Sequence, residues 1–167
     1  MQNLQDCPAT FTYTPIGRIH SPFHDIAGMP IQPNGARGIR GTIEIHSPYR
    51  EGLRDIEGFE RIILIYALHK CTGPCLTVTP FLDTTPRGIF ATRSPKRPNA
   101  IGLSVVRLRE VNDGTLTISD VDVLDGTPLL DLKPYVPVFD AYPGSRCGWF
   151  ETVAGNAKTI RSDDRFR

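Results

Sequence analysis

Apolar residues recur along this chain in short runs, and most runs alternate. Residues 41–47, GTIEIHS, place Ile43 and Ile45 against Thr42 and Glu44, the period-two pattern of a half-buried strand. Residues 61–69, RIILIYALH, form a continuous β-branched run too short for a buried helix and read as a central strand. Strands are also predicted at 14–20, 75–81, 87–93, 102–111, 115–124 and 128–135, about eight in all. Turns fall at 112–114 (NDG) and 124–128 (LDGTP). One short helix is predicted: Ser47 as N-cap, Pro48 in the first turn, Leu53 and Ile56 sharing a face, and Gly58 ending it. A second helical turn is expected within 140–150. Strands do not alternate with helices, and no repeat of 20–50 residues is visible. The expected fold is therefore mainly β, a single domain of about eight strands in a barrel or sandwich with one or two short helices.

Length and composition fit that picture. A chain of 167 residues is expected to form one domain over 1–167, with a core at about 13–150 and a C-terminal tail at 151–167. Fifteen Pro and fifteen Gly suit a loop-rich β protein. The Gly- and Pro-containing stretch 21–41 reads as a long functional loop. A formal net charge of +1 does not by itself announce a nucleic-acid binder. The first residues lack a basic segment leading into an apolar one, and no apolar run reaches membrane-spanning length. A cytoplasmic location is the expectation. Of the cysteines Cys7, Cys71, Cys75 and Cys147, only Cys71 and Cys75 are closely spaced. A lone C-x-x-x-C without a second ligand pair is a weak zinc signal, so no metal is expected.

Charge is unevenly distributed. Between Thr84 and Arg109 lie Arg87, Arg93, Lys96, Arg97, Arg107 and Arg109 with no acid. Between Val111 and Leu132 lie Asp113, Asp120, Asp122, Asp125 and Asp131 with no base. The segments can pair with one another as solvated faces, or the first can meet an anionic partner. Within the first, RSPKRPN sets cations between Pro95 and Pro98, which leave the loop few conformations. A preordered loop loses less entropy on binding, and Arg offers a planar fork to carboxylate or phosphate. An anion or nucleotide clamp and a plain surface connection both fit these residues. Asp125 begins a good turn and can also add a carboxylate to a ligand site, while His69 closes the apolar run at 61–69. There is no Walker loop, nucleophile elbow or G-x-G-x-x-G.

Three blocks together resemble one family. They are IGRIHSPF at 16–23, GIFATRSPKRPNAIGLSVVRL at 88–108 and DVLDGTPLLDLKPYVPVFD at 122–140. Over residues 13–150, and in this order, they look like the TsaA-like, or TrmO-type, S-adenosylmethionine-dependent tRNA methyltransferases. The resemblance implies a β-barrel, a homodimer, S-adenosylmethionine as cofactor, and methylation at N6 of threonylcarbamoyladenosine beside the anticodon. It implies cofactor contacts at Pro33, Asn34, Gly35, His69, Lys70, Arg93, Leu103, Asp125, Gly126, Thr127 and Pro128. Lys70 departs from the family's His-Gln pair, and Ala100 from its more common proline. The chain stops at Arg167, so the resemblance is to the short form without an extra C-terminal domain. Lys96, Arg97 and Asn99 are expected to face the tRNA anticodon loop, with Arg97 at the loop tip. Asp125, Asp122 and His69 remain alternatives for a general base. The rival expectations are a nucleotide- or RNA-binding barrel without catalysis, and a methyltransferase of this fold with a small-molecule substrate.

Overall fold

The computed structural model describes residues 10–31, 35–153 and 161–163. Among the described residues eight strands form: β1 (Gly17–His20), β2 (Arg40–Ile45), β3 (Arg61–Ala67), β4 (Thr77–Val78), β5 (Arg87–Gly88), β6 (Ile101–Asn112), β7 (Thr115–Ser119) and β8 (Thr127–Pro134). Six of them close an antiparallel barrel in the order β1-β2-β7-β6-β3-β8, while β4 and β5 form a separate two-stranded ribbon. The strand number matches the expectation, but the barrel itself is smaller.

Alternation builds the core. Ile43 and Ile45 of β2, Ile62 and Leu64 of β3, Val106 of β6, Leu116 and Ile118 of β7, and Leu129 of β8 point inward and are almost wholly shielded. Each such side chain contributes about 1.5–3 kcal/mol of burial. The run at 61–69 is central, as expected: β3 pairs with β6 on one side and β8 on the other.

The register gives the barrel two unlike ends. At one end, Asp113 and Gly114 join β6 to β7 in a tight turn with positive φ values of 41° and 79°. At the other, β1, β3 and β7 finish while β2, β6 and β8 begin, as the pairs His20↔Thr42, Ala67↔Ile101 and Arg40↔Ser119 show. The segments 21–39, 68–100 and 120–126 therefore all leave from one mouth.

Several local expectations need correction. The helix at 47–58 is a 3-10 helix over Ser47–Leu53 followed by a short turn at Ile56–Gly58. Its N-cap is His46, not Ser47, and Asp55 interrupts it in the left-handed region at φ 67°. The strand at 87–93 ends at Gly88 and gives way to a 3-10 turn at Ile89–Ala91, so Arg93 does not close a strand. The strand at 75–81 shrinks to Thr77–Val78. The strand at 115–124 ends at Ser119, because Asp120 takes φ 68°. There its carboxylate accepts from Gly38 N–H at 2.8 Å and from Arg61 Nη2 at 3.2 Å. The turn expected within 140–150 appears as two, α1 (Pro137–Asp140) before it and a 3-10 helix at Gly148–Thr152 across its end. No helix among the described residues is long and apolar enough to cross a membrane.

Candidate functional site

The open mouth holds a buried polar chain. Tyr66 ends the inward row of β3, and its partner across the sheet is Gly102 of β6. A Cβ at Gly102 would lie 2.2 Å from the Tyr66 ring, so only glycine lets the ring lie flat across β6. The ring thereby reaches Ser104, two residues further on the same face, with its hydroxyl 3.0 Å from Ser104 Oγ. Ser104 in turn donates to Asp122 Oδ1 at 2.7 Å. Because Ser104 spends its proton on Asp122, Tyr66 is the donor to Ser104. A register shift in the β3–β8 pairing falls between Ile65 and Tyr66, a bulge of the kind that re-aims side chains at barrel rims.

Burial sets the charge states here. It pushes the Asp122 carboxyl up from 3.8 to about 6, against the Ser104 hydrogen bond and the positive charge of Arg93. Burial, with the Asp122 charge added, also raises the Tyr66 hydroxyl, which stays a donor.

Three adjoining cavities meet over Tyr66, Leu68 and Asp122. One, of about 200 Å³, is walled by Ile26, Met29, Phe81, Arg93, Ser94, Trp149 and Phe150. A second, of about 130 Å³, brings in His69, Lys70, Leu124 and Thr127. A third, of about 280 Å³, runs past Arg93, Arg97 and Leu103. The mouth therefore gathers His69, Lys70, Arg93, Leu103, Thr127 and Asp122, which sequence separates by up to 58 positions. Pro33 and Asn34 lie outside the described residues; Gly35 is half-buried beside them.

The remaining expected residues are placed as follows. Asp125 sits at the turn into β8, where Gly126 takes φ 76°. Its carboxylate accepts from Ser21 N–H at 3.1 Å and lies 3.4 Å from His20 Nδ1 and 3.5 Å from His24 Nδ1. Burial works against its charge, but the Ser21 N–H and the two histidines hold the carboxyl below its usual range. Arg97 is folded back on its own loop: Nη1 donates to Thr92 O at 2.8 Å and Ile89 O at 3.2 Å, and the guanidinium lies over Phe90. The expectation of Arg97 at a loop tip is thus corrected, since Nη1 turns back to the carbonyls at the end of the 3-10 turn. Lys96 lines a separate cleft with Cys75, Asp83 and Thr84. Asn99 is exposed, and its carbonyl accepts from Ile101 N at 2.8 Å. Cys71 and Cys75 are free thiols, and among the described residues no group of three His, Cys, Asp or Glu side chains can hold a metal ion.

The two charged segments pair mostly elsewhere and not with each other. Arg87 meets Asp83 and Arg107 meets Glu60, while Asp113 meets Arg50, Asp120 meets Arg61 and Asp131 meets Lys133.

Some residues at the mouth had no expectation attached. Tyr66 and Ser104 come together only through cross-strand register; a glycine within an apolar strand at 102 was the one available signal. Trp149 reaches the mouth because Nε1 donates to Ala91 O at 2.8 Å and Arg87 packs on its ring. Ser162 pins the 26–30 wall: its N–H donates to Met29 O at 2.9 Å, and its carbonyl accepts from Gly28 N at 2.8 Å.

Comparison with known proteins places this fold among solved and curated relatives. A family model described as the tRNA-methyltransferase O N-terminal domain matches residues 18–141. A probable S-adenosyl-L-methionine-binding protein of Pyrococcus abyssi is 50% identical over 159 residues, 95% of this chain and 86% of that protein. The tRNA (adenine(37)-N6)-methyltransferase of Escherichia coli K12 is 31% identical over 155 residues, 87% of this chain and 66% of that protein. The crystal structure of TrmO from Pseudomonas aeruginosa is similar with a TM-score of 0.71 and 39% identity, over 84% of this chain and 62% of that one. This chain therefore spans less than two thirds of the crystallised chain's length.

Proposed function

The chain belongs to the tRNA-methyltransferase O family, and on that footing we propose that it is an S-adenosylmethionine-dependent methyltransferase acting on N6 of the adenosine beside the anticodon in tRNA. Threonylcarbamoyladenosine is the form we assign as substrate. The observation that carries the reading is the convergence of His69, Lys70, Arg93, Leu103 and Thr127 around adjoining cavities at one barrel mouth.

The donor set fits the cofactor. Ile26, Met29 and Leu68 offer the cofactor apolar walls. Ser94 Oγ is buried in the cavity wall without a hydrogen-bond partner among the described residues, so a polar ligand atom there would satisfy it. Gly35, His69, Lys70, Arg93, Leu103 and the turn Asp125–Pro128 would hold the cofactor, with Pro33 and Asn34 beside Gly35. Bound S-adenosylmethionine supplies an electrophilic methyl group. The protein's own contribution is to fix the target nitrogen near that methyl, keep water out, and accept the nitrogen's proton.

We assign Lys96, Arg97 and Asn99 to the substrate; of the three, Arg97 lines the third cavity, Lys96 faces a separate cleft and Asn99 is exposed. Arg97 is occupied with Thr92 and Ile89 through Nη1, so it shapes the loop as well as presenting charge. The threonyl carboxylate of the modified base is a fitting partner for the guanidinium groups of this rim. We assign the working state as a cytoplasmic homodimer that needs no metal. Calorimetric titration should give a dissociation constant in the low micromolar range or tighter, about −8 kcal/mol. Absence of both heat and thermal shift with S-adenosylmethionine and with its demethylated product would refute the cofactor assignment.

A further inference from the structure

Within the reading just given, on which this inference rests, we propose that Asp122 accepts the proton from the target nitrogen, and that Ser104 and Tyr66 are positioning residues that hold and tune it. Asp122 stands where all three cavities meet, with Tyr66 and Leu68 as the other shared walls. Cofactor-matched residues border all three spaces: Arg93 the first and third, His69, Lys70 and Thr127 the second, and Leu103 the third. The first also carries the aromatic wall of Phe81, Trp149 and Phe150, suited to a planar base. A carboxylate at that junction lies between donor and acceptor.

The alternatives fit less well. Asp125 is engaged by Ser21 N–H, His20 and His24, and does not line the three cavities. The two histidines and the N–H hold its proton affinity low, which suits a structural anion better than a base. His69 borders only the second cavity and is exposed.

Asp122 is also oriented. The run Tyr66 O–H to Ser104 O–H to Asp122 Oδ1 fixes one carboxylate oxygen and leaves the group facing the cavities. The groups around it are Tyr66 from β3, Ser104 from β6 and Arg93 from the 92–100 loop, with His69, Lys70 and Cys71 further along the second cavity. Its raised proton affinity, to about 6, suits a base working near neutral pH. In the step, the N6 lone pair forms the bond to the methyl carbon. The S–CH3 bond breaks with its electron pair remaining on sulfur, and the N6 proton passes to the Asp122 carboxylate. No other co-reactant is needed.

The test combines kinetics with a titration of the ligand-free protein. Wild-type kcat/KM on threonylcarbamoyladenosine-containing tRNA should rise with pH along a limb near 6, and carbon-13 NMR should show one aspartate carboxyl titrating there without ligand. Asp122→Asn, which still accepts from Ser104, should bind S-adenosylmethionine within about threefold of wild type. It should lose about 10²–10⁴ in kcat, the usual share of a general base, and abolish both the limb and the NMR titration. Ser104→Ala removes a hydrogen bond that favours the charged form, so limb and titration should both move to higher pH; Tyr66→Phe should move them the same way by less. A purely structural role would alter stability without moving the limb. Asp122→Asn with wild-type kcat and an unchanged limb overturns the assignment while leaving the methyltransferase reading intact. Wild-type protein that binds no S-adenosylmethionine overturns that reading itself, and the inference with it. Should the Asn variant not fold, an unmoved limb in Ser104→Ala beside an unshifted carboxyl resonance is equally fatal.

Discussion

Asp122 couples the site to stability through its charge. Its folded value, about 6, lies above its ordinary 3.8, so folding favours the protonated form. The stabilisation is complete below the ordinary value and is lost as pH rises through about 6. Replacing Asp122 by Asn removes that dependence. Relative to wild type, the variant should gain on the order of 2–3 kcal/mol between acid and neutral pH, read from denaturant unfolding at several pH values. Gly102 is the second sensitive residue. Gly102→Ala puts a methyl into the Tyr66 ring and should cost about 1–3 kcal/mol while disturbing the Tyr66–Ser104 contact. Arg97→Ala removes the donor to the Thr92 carbonyl, while the Ile89 carbonyl keeps the Thr92 N–H and hydroxyl, and should lower stability by about 1–3 kcal/mol. Arg97→Lys should recover only part of this, because an ammonium cannot also lay a planar guanidinium over Phe90. An Arg97→Ala protein with unchanged melting temperature would return this residue to a purely substrate-facing role.

Among the elements, β7 shows how one residue ends a strand. Its apolar alternation runs on through Val121 and Val123, which are themselves buried, so the pattern alone extends the strand to 124. The left-handed Asp120 breaks it, and the Gly38 N–H and Arg61 that secure the turn are 82 and 59 residues away. No local pattern carries that information. The segment 87–93 reads as a strand for its β-branched and aromatic residues, yet it lacks a barrel partner and coils into a turn stabilised by Thr92 and Arg97. By contrast β2, β3 and β6 were legible, because period two and burial on one face are the same fact seen twice. The site divides in the same way. The Arg93 loop and the Asp125 turn stand out in sequence by resemblance, whereas the Tyr66–Ser104–Asp122 run depends on a register that only the closed barrel sets. Asp120 itself is testable. Burial opposes its charge, but Gly38 N–H and Arg61 hold its carboxyl below the ordinary range. That stabilisation is present at neutral pH and lost as pH falls below the ordinary carboxylate range. Asp120→Ala should therefore cost about 2 kcal/mol at pH 7, and less in acid, by chemical unfolding at both.

At the scale of the molecule, the barrel supplies a rigid frame, and the three long segments at one mouth supply chemistry. Phe90, Ile101 and Leu103 remain exposed beside that mouth in the single chain. The homodimer we propose would cover apolar surface of this kind; sedimentation at assay concentration should show two chains per particle, and a fully active monomer would contradict it. Transfer of a methyl group onto a tRNA base at this mouth is what we propose. It is tested most directly by incubating the protein with labelled S-adenosylmethionine and tRNA that carries or lacks the threonylcarbamoyl group, then digesting the tRNA and identifying the labelled nucleoside. Label should appear on N6 of the modified adenosine, with little on the unmodified tRNA. Label on neither tRNA, from protein that binds the cofactor, would contradict it.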